Sequence, residues 1–141
     1  MKIKVKYVNE DTIRLTKISQ GDWIDLSLDE DIDLKEGESG LYSLGVCIEL
    51  PQNYEAILAP RSSTFKRYGL LQTNSIGIID NSYCGDNDIW KVSFYATKNI
   101  YVPKGTRICQ FRIIKNQPPI EFTEVEHLGN TDRNGFGSTG R

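Results

Sequence analysis

A two-residue hydrophobic rhythm, struck in short bursts, runs along most of this chain and leaves little room for helices. Ile3, Val5 and Tyr7 alternate with Lys2, Lys4 and Lys6; Val46, Ile48 and Leu50 alternate with Cys47 and Glu49; Trp90, Val92 and Phe94 alternate with Lys91 and Ser93. A side-chain period of two marks a strand buried on one face. Between the bursts lie turn formers: Glu36-Gly37-Glu38-Ser39-Gly40, Pro51-Gln52-Asn53, Asn81-Ser82, Gly85-Asp86-Asn87 and Pro103-Lys104-Gly105. Many short strands with close turns predict an all-β, jelly-roll-like sandwich or barrel. One stretch, Ser62 to Tyr68, has the composition of a very short helix, with serines to cap it and Gly69 to end it.

At 141 residues the chain can bury a core without staples, because about two thirds of the unfolded surface of such a chain leaves water. Cys47, Cys84 and Cys109 show no C-x-x-C spacing and leave one unpaired in any scheme, so we expect reduced, mostly buried thiols. Seventeen basic residues against nineteen acidic ones give a formal charge of −2, which argues against direct nucleic-acid binding. No stretch approaches the roughly 18 apolar residues of a membrane span, and Met1 to Thr12 lacks the apolar core of a secretory signal; a cytoplasmic protein is expected. The single histidine, His127, removes multi-histidine zinc sites and is read as a surface or packing residue.

No linker divides residues 1–128, read as a single all-β domain. Residues 129–141 carry four glycines and little apolar content, and are expected to form a flexible arm. From Asp22 to Glu38 there are eight acidic residues and one lysine, mostly solvated turn faces. Asp25 stands apart, because Ile24 and Leu26 flank it and hold its carboxylate in place.

With nucleophile triads absent, the polar residues suit a polyphosphate and an oriented water. Pro60-Arg61-Ser62-Ser63-Thr64 follows the apolar run Ala56 to Ala59 and joins a guanidinium to hydroxyls and free amides, as an anion needs; a simple helix cap is the alternative. Asn74 to Asp86 reads as a strand, a tight turn and a return strand, with Gly77 allowing close approach of a ligand. In it Asp80 is placed to orient a water and Tyr83 to lie against a sugar. Asp86 and Asp88 rank below Asp80, which follows apolar residues. On Gly105 to Phe111, Arg107 and Gln110 can reach phosphates, or Arg107 can make a structural ion pair. Arg133 to Gly140 has the makings of a lid over an anionic, aromatic ligand.

Taken in order, these segments resemble the five motifs of the trimeric dUTP pyrophosphatases (dUTPases), closest to the Bacillus and phage branch. Ile24-Asp25-Leu26 matches the end of the first motif, Pro60 to Ser63 the second, Gly77 to Gly85 the third, Gly105 to Gln110 the fourth and Gly135 to Gly140 the fifth. The resemblance implies hydrolysis of dUTP to dUMP and pyrophosphate, limiting uracil in DNA and supplying dUMP for dTTP synthesis. It implies that Asp80 is the general base and that Tyr83 packs on deoxyribose. An unpaired ribose 2′-hydroxyl buried there would cost on the order of 1–3 kcal/mol. It further implies that Asn74 and the backbone of Gly77 and Ile79 read uracil, and that Asp25 holds Mg2+ through water. Arg61, Ser62, Ser63 and Gln110 would contact phosphates, with Phe136 closing on the base, Arg133 on the terminal phosphate, and Gly137 and Ser138 completing the arm. Arg133 stands three residues before Phe136 where many members have five, which makes Arg141 a substitute. Trp90 is a rival to Phe136 for stacking on uracil, or else a core aromatic. The family also implies a homotrimer with sites shared between subunits.

Two other readings also fit the sequence. A dCTP deaminase of the same fold shares Arg61-Ser62-Ser63, but Lys91 to Thr97 lacks the glutamate that family carries. A nucleotide-binding module with a regulatory protein partner is the other, either in place of catalysis or beside it.

Overall fold

A computed structural model describes residues 1–137. It contains strands β1 (Lys4–Tyr7), β2 (Ile24–Ser27), β3 (Ile32–Leu34), β4 (Ser39–Ser43), β5 (Val46–Glu49), β6 (Tyr54–Pro60), β7 (Leu70–Gln72), β8 (Gly77–Ile79), β9 (Lys91–Ala96), β10 (Ile100–Val102) and β11 (Arg107–Lys115), with one helix, α1 (Thr64–Tyr68). The strands form sheets of order β2-β11-β6-β8 and β4-β9-β7 and two pairs, β1-β5 and β3-β10. Every pairing is antiparallel. The predicted all-β, jelly-roll-like class is what forms. No helix among the described residues is long and apolar enough to cross a membrane.

The alternation seen in the sequence produces one shared core. Leu26 of β2, Ile48 of β5, Leu58 of β6, Phe94 of β9 and Phe111 of β11 all lie within it. Trp90 belongs here too. It is 0% exposed and meets the Phe111 ring edge-on at 5.1 Å. Its backbone N–H donates to the Val46 carbonyl and its backbone carbonyl accepts from the Leu44 N–H, which fixes it in the inward phase shared with Val92 and Phe94. Such a ring has no free face to offer a base, so the stacking role considered for Trp90 is corrected to a core role.

Two local expectations are also corrected. The helix is not capped by serine: Ser63 occupies the cap position without a side-chain bond, whereas Gly69 ends the helix in the left-handed conformation, φ 63°, with its N–H on Phe65 O. Among the described residues β8 has no return partner. β8 pairs with β6 alone, and the chain passes through turns to β9 in a different sheet; Asn81 explains this, since its Nδ2 donates to the carbonyls of Leu50 and Pro51 and ties the bend to the β5–β6 connection. The cysteines are free and mostly buried, as expected: Cys47 and Cys109 lie inside and Cys84 is exposed.

Candidate active site

The central sheet sets four of the five motifs on neighbouring strands. Gln110 lies level with both Asp25 on β2 and Ala59 on β6, and its Nε2 donates to the Pro60 carbonyl at 3.1 Å. Arg61, one residue past β6, reaches back so that its Nε is 3.0 Å from Asp25 Oδ1, while Arg107 Nη1 is 3.7 Å from Oδ2. The register of β11 against β2 slips between Arg107 and Cys109, a bulge that re-aims the neighbouring side chain. Ile108, at the bulge, gives its carbonyl to the Thr64 hydroxyl at 2.8 Å, and that oxygen also accepts the Arg61 N–H at 3.0 Å. Thr64, 1% exposed, thereby ties the second motif to the fourth. Ser62 is exposed and Ser63 half-buried.

Asp25 also lines a depression of about 200 Å3, together with Arg14, Trp23, Ser27 and Arg107. Among the described residues no three His, Cys, Asp or Glu side chains gather as a metal cage. A lone carboxylate beside cationic anchors fits an ion that keeps its waters and arrives with phosphates, the ordinary habit of magnesium.

The third motif forms a second centre. Asp80 follows β8 directly, and its Oδ1 accepts both the Ser82 N–H at 2.8 Å and the Ser82 hydroxyl at 2.6 Å. These bonds hold the exposed carboxyl below the ordinary carboxylate range. The Asp80 carbonyl accepts the Tyr83 N–H, closing a turn, and the Tyr83 hydroxyl donates to Ile89 O at 3.0 Å. A depression of about 420 Å3 is lined by Asp80, Ser82, Tyr83, Ile78, Ile79 and, from outside the motifs, Leu41, Ile89 and Lys91. Asn74 stands at the opposite end of β8, its Oδ1 accepting from Gln72 Nε2 at 3.2 Å. A Cβ on Gly77 would meet Leu58 at 3.4 Å and Asn74 at 3.7 Å, so the absent side chain's position faces β6.

The two centres are separate within one chain. Ile79 pairs with Ala56, which puts Asp80 level with Glu55, six positions along from Arg61, or about 20 Å at 3.3 Å per residue. Arg133, Phe136 and Gly137 are exposed; Arg133 lines a depression formed by its own segment, Glu126 to Asp132, and meets neither centre. Ser138 and Arg141 lie outside the described residues.

Ser82, Leu41, Ile89 and Lys91 are site residues that the sequence does not single out, and Thr64 stands there only as one of the hydroxyls that follow Pro60. Ser82, two positions after an aspartate, did carry a signal, because a side chain there can return to the carboxylate. Leu41 and Lys91 carried none, as they arrive from another sheet.

An all-β frame with an arginine–carboxylate cluster at one end of a sheet and an aspartate–tyrosine cleft at the other defines a class of anion-binding β protein. Comparison narrows that class. The dUTPase family model matches residues 13–140, and the chain belongs to the dUTPase family. It is 54% identical over 140 residues, 99% of each chain, to the SPbeta prophage-derived deoxyuridine 5′-triphosphate nucleotidohydrolase YosS of Bacillus subtilis. It is 38% identical over 144 residues to the deoxyuridine 5′-triphosphate nucleotidohydrolase of Finegoldia magna, covering 98% of this chain and 99% of that one. Among solved structures, a Staphylococcus bacteriophage 80alpha dUTPase with dUpNHpp superimposes with a TM-score of 0.82 at 19% identity, over 99% of both chains. A dUTPase from phage phi11 of S. aureus, described with a structural Mg(II) ion, gives 0.78 at 16% identity, over 91% of this chain and 99% of that one. These likenesses favour the dUTPase reading over the deaminase.

Proposed function

We propose that this chain hydrolyses dUTP to dUMP and pyrophosphate, with Asp80 as the base. The observation that carries this reading is the Asp80 carboxylate itself, fastened by one oxygen to Ser82 beside Tyr83 in an open cleft. The other oxygen accepts a proton from water as the water oxygen bonds to the α-phosphorus; the bond from that phosphorus to the bridging oxygen breaks in line, and pyrophosphate leaves. A carboxylate of pKa near 4 is a weak base, so positioning and charge stabilisation supply much of the barrier lowering.

Tyr83 would support the deoxyribose, Asn74 and the β8 backbone the uracil, and Arg61, Ser62, Ser63 and Gln110 the phosphates. Asp25 would hold Mg2+ through water, and the ion when bound supplies charge neutralisation to the triphosphate oxygens. Phe136 and Arg133, with Gly137 and Ser138, would close over the nucleotide. The protein would act in the cytoplasm.

A homotrimer with shared sites accounts for the separation of the two centres. Two features support it: the distance of about 20 Å between Arg61 and Asp80, and a strandless segment after β11 that exposes Ile120, Phe122, Val125 and Leu128. Single-chain proteins rarely leave such a run uncovered.

The test is pyrophosphate release from dUTP, with ammonia release from dCTP followed in parallel. The wild-type protein should release pyrophosphate only from dUTP, and Asp80→Asn should keep dUTP binding while losing more than about 100-fold in turnover. Near-normal turnover by Asp80→Asn would remove the base assignment, and ammonia from dCTP would restore the deaminase reading.

A further inference from the structure

Asp80 sits on a turn that is clamped at three successive residues. Asn81 donates to Leu50 and Pro51 carbonyls, Ser82 donates twice to Asp80, and Tyr83 donates its hydroxyl to Ile89 O. The two Ser82 bonds share a feature that the other clamps lack: both end on the same carboxylate oxygen, Oδ1. Among the described residues Oδ2 receives no hydrogen bond from the protein. The χ2 torsion of an aspartate is broad and nearly two-fold, so an untethered carboxylate would exchange its oxygens freely.

We infer that Ser82 is a positioning residue for Asp80, occupying Oδ1 with its hydroxyl and its backbone N–H so that Oδ2 alone faces the attacking water. This rests on the reading of Asp80 as the base. The hydroxyl contact of 2.6 Å lies in the range of charge-assisted O–H···O⁻ bonds. Among the described residues no other side chain hydrogen-bonds the Asp80 carboxylate. Lys91 of β9 is the charged group lining the cleft beside Asp80 and Tyr83 its other titratable neighbour, while Leu41 of β4, Ile78 and Ile79 of β8 and Ile89 are apolar. The lowered carboxyl pKa arises from the Ser82 bonds and from neither Lys91 nor Tyr83.

The sign of the pH effect follows. The Ser82 hydroxyl favours the ionised carboxylate, so its removal raises the Asp80 pKa and the active form is lost at higher pH. The experiment measures kcat and KM for dUTP across pH in the wild type, Ser82→Ala, Ser82→Thr and Asp80→Asn, with thermal melting of each. Ser82→Ala should lower kcat about tenfold, the loss of one charge-assisted hydrogen bond, with KM within about twofold and the acidic limb of kcat moved to higher pH. Ser82→Thr, which restores a hydroxyl, should recover the wild-type limb and most of kcat. A wild-type rate and limb in Ser82→Ala, with Asp80→Asn inactive, would overturn the role of Ser82 and leave the base intact. Lowered kcat with an unmoved limb and no recovery in Ser82→Thr would also overturn it, as a merely structural effect. Activity in Asp80→Asn would instead remove the base reading on which the inference stands.

Discussion

Replacing Thr64 by valine tests how the anion cluster is held. The two side chains have nearly the same shape, but valine removes the oxygen that bridges the Ile108 carbonyl and the Arg61 N–H. The carbonyl sits where the β11–β2 register slips, and the Thr64 that donates to it is 1% exposed. Leaving such a buried acceptor unpaired costs about 1–3 kcal/mol. Arg61 is half-buried, so water can take its N–H at smaller cost, and the sum comes to about 2–3 kcal/mol. For 141 residues, at about 2.1 cal/mol/K each, the unfolding entropy is roughly 0.3 kcal/mol/K, so Tm should fall by about 7–10 °C. Thr64→Ser keeps the bridge and loses a methyl, about 1 kcal/mol and 3 °C. Since the bridge also seats Arg61 against Asp25, Thr64→Val should lower kcat/KM for dUTP about tenfold and Thr64→Ser hardly at all. Thermal melting at one fixed protein concentration, together with steady-state kinetics, measures both. A valine variant as stable as the serine variant, with unchanged kcat/KM, would refute the claim that this hydroxyl joins the second motif to the fourth.

Two further outcomes are expected. Asp80→Asn chains and Arg61→Ala chains, each inactive alone, should recover activity when unfolded and refolded together in equal amounts. Random assembly leaves about one site in four with both residues intact, ½ × ½; a mixture as inactive as its components would mean that each site is built from one chain. With a thiol reagent under native conditions, exposed Cys84 should react first. Cys47, whose pKa is raised by burial, and Cys109, pushed up further by burial, should react only on unfolding; rapid modification of all three would contradict the packing around β5 and β11.

The alternation of apolar residues made the strands legible, because burial on one face leaves a direct mark on the sequence. The motif residues were legible for a related reason: Asp25, Arg61 and Gln110 are chemically conspicuous, and the sheet places them abreast. What the sequence hid is pairing at a distance. The bend after Asp80 reads as a hairpin locally, yet Asn81 is spent on Leu50 and Pro51, and the chain leaves for another sheet. Ser62 and Ser63 look like caps, but the bridging work falls to Thr64, because the free carbonyl it satisfies lies 44 residues away at Ile108. Trp90 offered two readings that its own neighbourhood could not separate; only the arrival of Phe111 from β11 decides for the core.

The two tryptophans have a practical consequence. Trp90 is sealed in a dry interior, whereas Trp23 lines the depression beside Asp25, with the Arg112 guanidinium 5.4 Å above its ring. Their intrinsic fluorescence should therefore come in two colours, a blue-shifted emission that reddens only when the core opens and a longer-wavelength one sensitive to anions entering the cluster. The molecule thus carries separate optical gauges of folding and of occupancy, without any added dye.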